Sequence, residues 1–319
     1  MSLPPNTSWA ASKHYHHHSN PASRPVCRTL FEKCIIRPKV NSAWMVIKGD
    51  TVGDKQAAGA TIDLYRDDNA NMLAGRVVQD CANLVLIDDH SLDAAIRQGM
   101  SRLDEYQPRT WDDGKDERKL AVNRGEFADV LTNAVTGVKE AHAIYGLNRI
   151  EGESEIFANL PGLELPYSGF PDFSRRVELK TKWSTAADTK SGKRSASLPN
   201  KPTWPHICQV AGYWFGTGLM QTIVYARKTP ATKRKTPGAD DAVGYRVFNE
   251  NNSDKLSKDG LQGAINHIVA KCAIRENLLK STNSVDEMLR LIEPDFGHMW
   301  AWDMRPAVLD EAKKLWGFK

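Results

Sequence analysis

Cysteine is scarce in this chain of 319 residues. The five cysteines are scattered and include no C-x-x-C pair; they are Cys27, Cys34, Cys81, Cys208 and Cys272. An odd, dispersed set argues against a disulfide framework and indicates a reducing compartment. We therefore expect a cytoplasmic protein, and the loose spacing of Cys27 and Cys34 does not support a zinc site.

Long apolar runs are also missing, since no stretch of 18 apolar residues occurs in the sequence. A membrane-spanning helix is therefore not expected. Residues 1–26 lack the apolar segment of a secretory signal and carry His14 and His16–His18. These histidines could bind metal adventitiously, but a flexible polar tail is the preferred interpretation of the segment.

Charge of one sign is not in excess, because 43 Lys and Arg residues face 39 Asp and Glu residues, for a net charge of +4. Any basic surface for an anionic partner must therefore be local. The sequence contains no zinc-finger or recognition-helix pattern, so sequence-specific DNA readout has no support. Its hydrophobic content of 41% is enough for a substantial core.

The spacing of the apolar residues predicts an α/β protein. Helical patterns occur before and after a polar break, and short strand-like segments follow. The predicted helices lie at 71–87, 88–106, 120–145, 203–218 and around 261–272, with the polar break at 107–119. The predicted strands lie at 152–161, 163–173, 175–183, 219–227 and 243–250, and a further strand-like run occurs at 43–47.

This order favours a central mixed β-sheet flanked by helices, with helical additions at both ends. A flexible tail over residues 1–26 precedes a mainly helical elaboration over 27–118, which contributes one core helix. The core and its C-terminal helices cover 119–319. The polar, basic segments 184–202 and 228–240 are expected to be mobile loops.

Three charged residues stand close together in the stretch PDFSRRVELKTKW, which covers residues 171–183. A turn of odd length centred on Arg175 would place Asp172 opposite Glu178, with their Cβ atoms roughly 5 Å apart. Glu178 and Lys180 are two residues apart on one strand and therefore project from the same face. Two carboxylates suit Mg²⁺, and an adjacent ammonium group suits the transition state of phosphodiester hydrolysis.

An ordinary surface hairpin with a salt bridge is the alternative, and the pattern alone leaves it open. Two other acid–lysine groups occur in the chain; they are Asp112, Glu117 and Lys119, and Asp295, Glu311 and Lys313. The first lies in a segment that predicts a polar loop. The second places its Glu and Lys on a helix, where residues two apart point in divergent directions. Only Glu178 and Lys180 lie in a strand that follows an acid-bearing strand.

The segment P-D-F followed by V-E-L-K resembles the core motif of the PD-(D/E)xK nuclease superfamily. The resemblance implies a restriction-endonuclease-like core in which Asp172, Glu178 and the backbone carbonyl of Leu179 bind Mg²⁺, with Mn²⁺ as a substitute, and Lys180 is catalytic. Some RecB-like members carry an iron–sulfur cluster, with one cysteine before the core and three after it. Only Cys272 follows the core here, so no such cluster is expected.

Two further motifs are similar to those of the RecB-like and phage-exonuclease branch. Gln209 and Tyr213 match Q-x-x-x-Y on a predicted helix, and in that branch these residues help to hold DNA near the site. Gly75 and Gln79 match G-x-x-x-H, except that glutamine replaces the histidine. Gln79 would therefore be a weak metal ligand, or simply a polar residue on an amphipathic helix.

Basic residues around the predicted hairpin indicate where DNA phosphates would bind. They are Lys182, Lys190, Lys193, Arg194 and Lys201, followed by Arg227, Lys228, Lys233, Arg234 and Lys235. A solvated loop is the alternative for any single one of them. Trp183 and Trp204 could stack on a base, although packing against the sheet is the expected role of each.

With the resemblance, these residues predict a metal-dependent DNA exonuclease of recombination, repair or phage DNA processing, in the cytoplasm of a bacterial or phage-infected host cell. The alternatives are a structure-specific or restriction-like endonuclease, a non-catalytic DNA-binding relative, and a scaffold in which the hairpin charges are incidental. The expected partner is DNA, as double-stranded ends or a single strand. A homo-oligomer and a single-strand annealing or binding partner stay open.

Overall fold

The computed structural model describes residues 15–16, 69–163, 167–185, 196–230 and 243–280. These residues belong to two compact units. The larger contains 69–156, 169–185, 196–230 and 243–264, and the smaller contains 15–16, 157–163, 167–168 and 265–280. Within these ranges, no helix is both long enough and apolar enough to cross a membrane.

Three helices open the larger unit, and the first two begin where a side chain caps them. Helix α1 (Ala70–Leu86) follows Asn69, whose side chain accepts the Met72 amide, and α2 (Leu92–Asp104) follows Ser91, whose side chain accepts the Ala94 amide. Such caps satisfy amides that have no partner within the helix. Both helices were expected, and α3 (Lys115–Ile144) contains the predicted helix at 120–145.

Helix α3 begins inside the segment that the sequence predicts as a polar break, and Asp116 provides the physical reason. Its fully buried carboxylate accepts the Ala70 amide at 2.7 Å, the Tyr106 hydroxyl at 2.6 Å and the Arg109 amide at 3.1 Å. These bonds join the start of α3 to the start of α1. The expectation of a loop at Glu117 and Lys119 was therefore wrong, because both are helical, and residue 118 lies inside one continuous helix.

A three-stranded mixed sheet lies beside these helices. Strands β4 (Val177–Lys182) and β5 (Thr222–Arg227) are parallel, and β6 (Tyr245–Phe248) runs antiparallel to β5. Alternate residues face opposite sides, so Val177, Leu179 and Val224 join the hydrophobic core with α1 and α3. Helix α4 (Trp204–Thr217) covers the other face, where His206 contacts Tyr225.

The remaining elements follow the predicted order. Helix α4 has Pro205 in its first turn and ends at Gly218, whose φ of 70° is the left-handed conformation that favours glycine. A short 3₁₀ helix (Asp254–Leu256) precedes α5 (Lys258–Lys280), on which the four predicted apolar positions are buried. The α/β class and the order of the elements are confirmed.

The strands before β4 differ from the expected single central sheet. Strands β2 (Ile156–Ala158) and β3 (Tyr167–Gly169) form a separate small sheet with β1 (Tyr15–His16), in the order β1-β3-β2. Strand β1 lies within the segment expected to be a tail. The predicted hairpin is reduced to one antiparallel bridge between Phe173 and Val177, because Pro171 has no amide hydrogen with which to extend a ladder.

Several expectations concern residues outside the described ranges. They are the strand-like run at 43–47, most of the segments 1–26 and 27–118 before Asn69, the centres of the two basic loops, and the helices after 280.

Candidate active site

Strand β4 carries the predicted catalytic residues on the face that α4 covers. Val177 and Leu179 point into the core with α1 and α3, so Glu178, Lys180 and Lys182 point the other way. Burial decreases along the strand, because Glu178 is 3% exposed whereas Lys180 and Lys182 are half-buried. The pattern places one deeply buried carboxylate beside two less buried ammonium groups.

A tight turn brings Asp172 to β4. The Phe173–Val177 bridge makes Arg175 the centre of the turn, so Asp172 lies opposite Glu178 as the sequence predicts. One carboxylate oxygen of Asp172, Oδ2, accepts the Leu179 amide at 2.7 Å. This bond replaces the backbone ladder that ends at the bridge, and it holds the Asp172 side chain against the edge of β4.

Glu178 is the centre of the side-chain contacts. Its Oε1 accepts the Lys180 ammonium at 2.5 Å and the Gln209 side-chain amide at 2.6 Å. Its Oε2 is buried, and among the described residues it has no hydrogen-bond partner. A buried carboxylate oxygen without a donor is costly, and a bound cation is one way to compensate that cost.

The electrostatics of the pair follow from burial and from the proximity of two acids. Loss of water around Asp172 raises its pKa well above the ordinary value, and the negative charge of Glu178 raises it further. Burial also raises the pKa of Glu178, against the lowering effect of Lys180. For Lys180, burial opposes the charged form, but the two carboxylates outweigh it and raise its pKa. The ammonium therefore stays charged.

The donors present fit a hard divalent cation that keeps several waters. Asp172 and Glu178 supply carboxylate oxygens, and Oε2 of Glu178 makes no hydrogen bond within the described residues. The N–H and C=O of one strand residue leave on the same side, so the Leu179 carbonyl is directed toward the edge where Asp172 lies. The described residues contain no group of three or more His, Cys, Asp or Glu side chains placed to hold a metal. Water or substrate oxygens would therefore complete the shell, as is usual for Mg²⁺.

Gln79 connects to this site through a residue that the sequence did not single out. Its side-chain amide donates to Glu153 Oε2 at 3.2 Å. Glu153 lies near enough to Asp172 that its negative charge contributes to the raised pKa of that carboxyl. The available signal was the acid-rich stretch that starts at Glu151, directly before β2.

Gln209 and Tyr213 lie together on α4, as predicted, but both side chains are buried. The Gln209 amide donates to Glu178 and, at 2.7 Å, to the Tyr213 hydroxyl, which donates to the Phe170 carbonyl at 3.4 Å. The expectation that these residues contact DNA needs correction here. Both side chains are enclosed by protein, and their observed contacts are with Glu178, with each other and with the Phe170 carbonyl.

The predicted DNA-binding residues fall into three groups. Lys182 lies beside the site, Lys201 is exposed and Lys228 is half-buried. Lys190, Lys193, Arg194, Lys233, Arg234 and Lys235 lie outside the described residues. Arg227 is buried and donates to the backbone carbonyls of Ala196 and Val243, so its guanidinium holds loop ends together and is not exposed on the surface.

Trp183 and Trp204 also differ in their exposure to solvent. Trp183 is buried in the core, as its expected packing role requires, whereas Trp204 at the start of α4 is 40% exposed.

Two histidines near the site were not recognised from the sequence. His206, in the first turn of α4, contacts Tyr225, whose strand register pairs it with Lys180. His142, on α3, contacts Ser174 in the turn after Asp172. Their roles depend on packing between distant segments, so no local pattern could have marked them.

No family model matches the chain, and neither the curated proteins nor the solved structures searched include a match.

Proposed function

We propose that this protein is a metal-dependent deoxyribonuclease with a restriction-endonuclease-like core of the PD-(D/E)xK type. One observation carries the proposal: Asp172 and Glu178 meet at the edge of β4 beside the Lys180 ammonium, and Oε2 of Glu178 makes no hydrogen bond with the described residues. A salt bridge in an ordinary surface hairpin would not need two buried carboxylates.

The arrangement of the elements supports the same class. The order α3, β2, β3, β4, α4, β5 places the acid-bearing turn and the E-x-K strand directly before the helix with Gln209 and Tyr213. Gln209 bonds to the buried Glu178 carboxylate and Tyr213 bonds to Gln209, so the pair faces the site and not the solvent. A scaffold with incidental charges provides no reason for the Lys180 and Gln209 side chains to converge on Glu178 beside Asp172.

The residues of the chain have separable roles in hydrolysis. A divalent cation held by Asp172, Glu178 and the Leu179 carbonyl would lower the pKa of a bound water and neutralise charge on a phosphoryl oxygen. Lys180 holds its charged ammonium at the Glu178 carboxylate, where it stabilises negative charge that develops on the phosphate. Gln209 fixes the direction of Glu178.

An exonuclease is favoured over an endonuclease, because the Gln209 and Tyr213 pair is similar to the motif of the exonuclease branch. The test is a time course with Mg²⁺ or Mn²⁺ on end-labelled linear duplex, single strand and covalently closed circle. An exonuclease degrades the linear substrates and spares the circle. Cutting of the circle would identify an endonuclease.

Asp172→Asn, Glu178→Gln and Lys180→Met test the residues themselves. Each is expected to lower cleavage by at least about 100-fold, since each removes a ligand or a charge needed in the transition state. The matched controls are Asp113→Asn, Glu117→Gln and Lys119→Met, which alter the same residue types away from β4. Addition of a chelator should stop wild-type cleavage. Full activity in any of the three site variants, or hydrolysis that persists with the chelator, would exclude the proposed mechanism.

A further inference from the structure

Lys182 is a cation without a carboxylate partner in the described part of the chain. It lies two residues beyond Lys180 on the same face of β4, with its ammonium 5.7 Å from the centre of the Tyr225 ring. Burial lowers its pKa, and the charge of Lys180 lowers it further. Lys180 is neutralised by Glu178, whereas none of the described acids forms an ion pair with Lys182.

A histidine and a tyrosine form the wall next to Lys182. His206 Nδ1 lies 2.7 Å from the Tyr225 hydroxyl, and the two rings are 5.5 Å apart. The Tyr225 oxygen also accepts the Thr203 amide at 3.3 Å, and the Tyr225 hydrogen is available to Nδ1 of His206. The neutral ring then carries its hydrogen on Nε2 and can donate it.

The neutral form of this ring has a physical cause. Burial, together with the positive charges of Lys180 and Lys182, lowers the pKa of His206 to about 3. Helix α4 adds a further electropositive feature, because Thr203 provides no side-chain cap and no acid occupies the first turn. The amides at the start of a helix favour a negative group.

We infer that Lys182 and Nε2 of His206 form a phosphate subsite that binds the DNA backbone beside the phosphodiester that reacts at Asp172 and Glu178. The inference rests on the proposed nuclease function. Two residues of strand cover about 6.6 Å, which is comparable with the separation of adjacent phosphates along one nucleic-acid strand. Lys180 and Lys182 therefore match two successive phosphates. The subsite binds a phosphate group and contacts no base, so its contribution to affinity is independent of base sequence.

Binding measured in an inactive background tests the subsite without catalysis. The Asp172→Asn variant keeps an oxygen acceptor for the Leu179 amide and serves as the parent. The probe is a fluorescent single-stranded oligothymidylate, titrated by anisotropy at several salt concentrations. Lys182→Met and His206→Phe should each weaken binding about tenfold, because each removes one of the proposed donors. Lys182→Met should also lower the salt slope by about one phosphate contact. Lys182→Arg should restore most of the affinity, and Lys139→Met, an exposed lysine on α3, should change nothing.

Two further readouts separate binding from a general structural effect. A single neutral methylphosphonate, moved along the oligonucleotide, should weaken the parent at one position and have no effect there in Lys182→Met. The ¹⁵N spectrum of the His206 ring should show hydrogen on Nε2, and the Nε2 signal should move when the oligonucleotide binds.

The binding and cleavage measurements together distinguish a failure of the phosphate subsite from a failure of the proposed nuclease function. Unchanged affinity in folded Lys182→Met and His206→Phe, and an unchanged salt slope in Lys182→Met, in a protein whose wild type cleaves DNA, would exclude the subsite alone. Absence of both DNA binding in the parent and cleavage in the wild type would exclude the nuclease function and the subsite together.

Discussion

At the scale of single residues, Glu178 is deeply buried, and both of the side chains that donate to it bond to the same carboxylate oxygen. One oxygen is held by Lys180 and Gln209, and the other makes no hydrogen bond with the described residues. The Gln209 amide lowers the pKa of Glu178 and so opposes the dominant effect of burial. Gln209 therefore acts on the site through Glu178, as a positioning residue.

Replacement of Gln209 by leucine tests this role. The buried Oε1 loses a donor, so the free energy of unfolding should fall by about 1–3 kcal/mol. The pKa of Glu178 should rise, so the acidic limb of the pH profile of kcat/KM should move to higher pH. Tyr213→Phe, which removes only the hydroxyl, should have a smaller effect in the same direction.

Tyr145→Phe is the matched control for these variants. Its hydroxyl bonds to Thr222 and Glu250, away from the carboxylates, so stability should fall while the pH profile stays in place. If Gln209→Leu lowers stability without moving the acidic limb, Gln209 supports the fold only.

The turn between Asp172 and Glu178 is the decisive feature at the scale of elements. Ser174 and Arg175 have φ values of 48° and 61°, which residues with a Cβ adopt at a cost. His142 stabilises the turn through a defined chain of bonds. Its Nδ1–H donates to the Val138 carbonyl at 2.8 Å, so Nε2 accepts the Ser174 hydroxyl at 2.8 Å. Ser174 in turn accepts the Glu151 amide at 2.9 Å.

Arg175→Gly should stabilise the protein by about 1 kcal/mol, because glycine adopts positive φ without strain and the Arg175 side chain is exposed. The measurement is urea denaturation, in which the transition midpoint should rise. Lys201→Gly, at an exposed residue that does not have positive φ, is the control and should be neutral or destabilising. A lower midpoint for Arg175→Gly would show that the turn is not strained.

Buried histidines make the stability of the whole molecule depend on pH. Burial lowers the pKa of His142 as well as that of His206. A base with a depressed pKa in the folded state binds protons more readily when unfolded, so its effect on stability is absent above the unfolded pKa near 6.5. As pH falls below that value, the unfolded state gains protons and the folded state loses stability.

The His206 contribution can be isolated by comparison with His206→Gln. With a pKa of about 3 in the folded protein, His206 should make the wild type lose about 2 kcal/mol more than the variant between pH 7 and pH 5. The raised pKa values of Asp172 and Glu178 act in the opposite direction but are present in both proteins. His90→Gln, at an exposed histidine, should follow the wild type. Parallel profiles for wild type and His206→Gln would contradict the buried neutral ring.

Local sequence patterns account for most of the helices and strands. Helices α1 to α5 and strands β4 to β6 follow from apolar residues at helical or strand spacing, with caps such as Asn69 and Gly218 near their ends. The convergence of Glu178 with Lys180, and of Gln209 with Tyr213, is also local. Spacings of two residues on a strand and four on a helix place each pair on one face.

Only the tertiary structure determined which residues from other elements contact these strand and helix faces. It turned Gln209 inward to Glu178, joined Asp116 to the start of α1, and brought His206 beside Lys182 through Tyr225. These contacts join segments far apart in the chain. Their partners are selected by which faces bury together and by the parallel register of β4 with β5. The sequence by itself determined the elements and the order of the reactive residues, and the packing of one element on another determined which of them form the site.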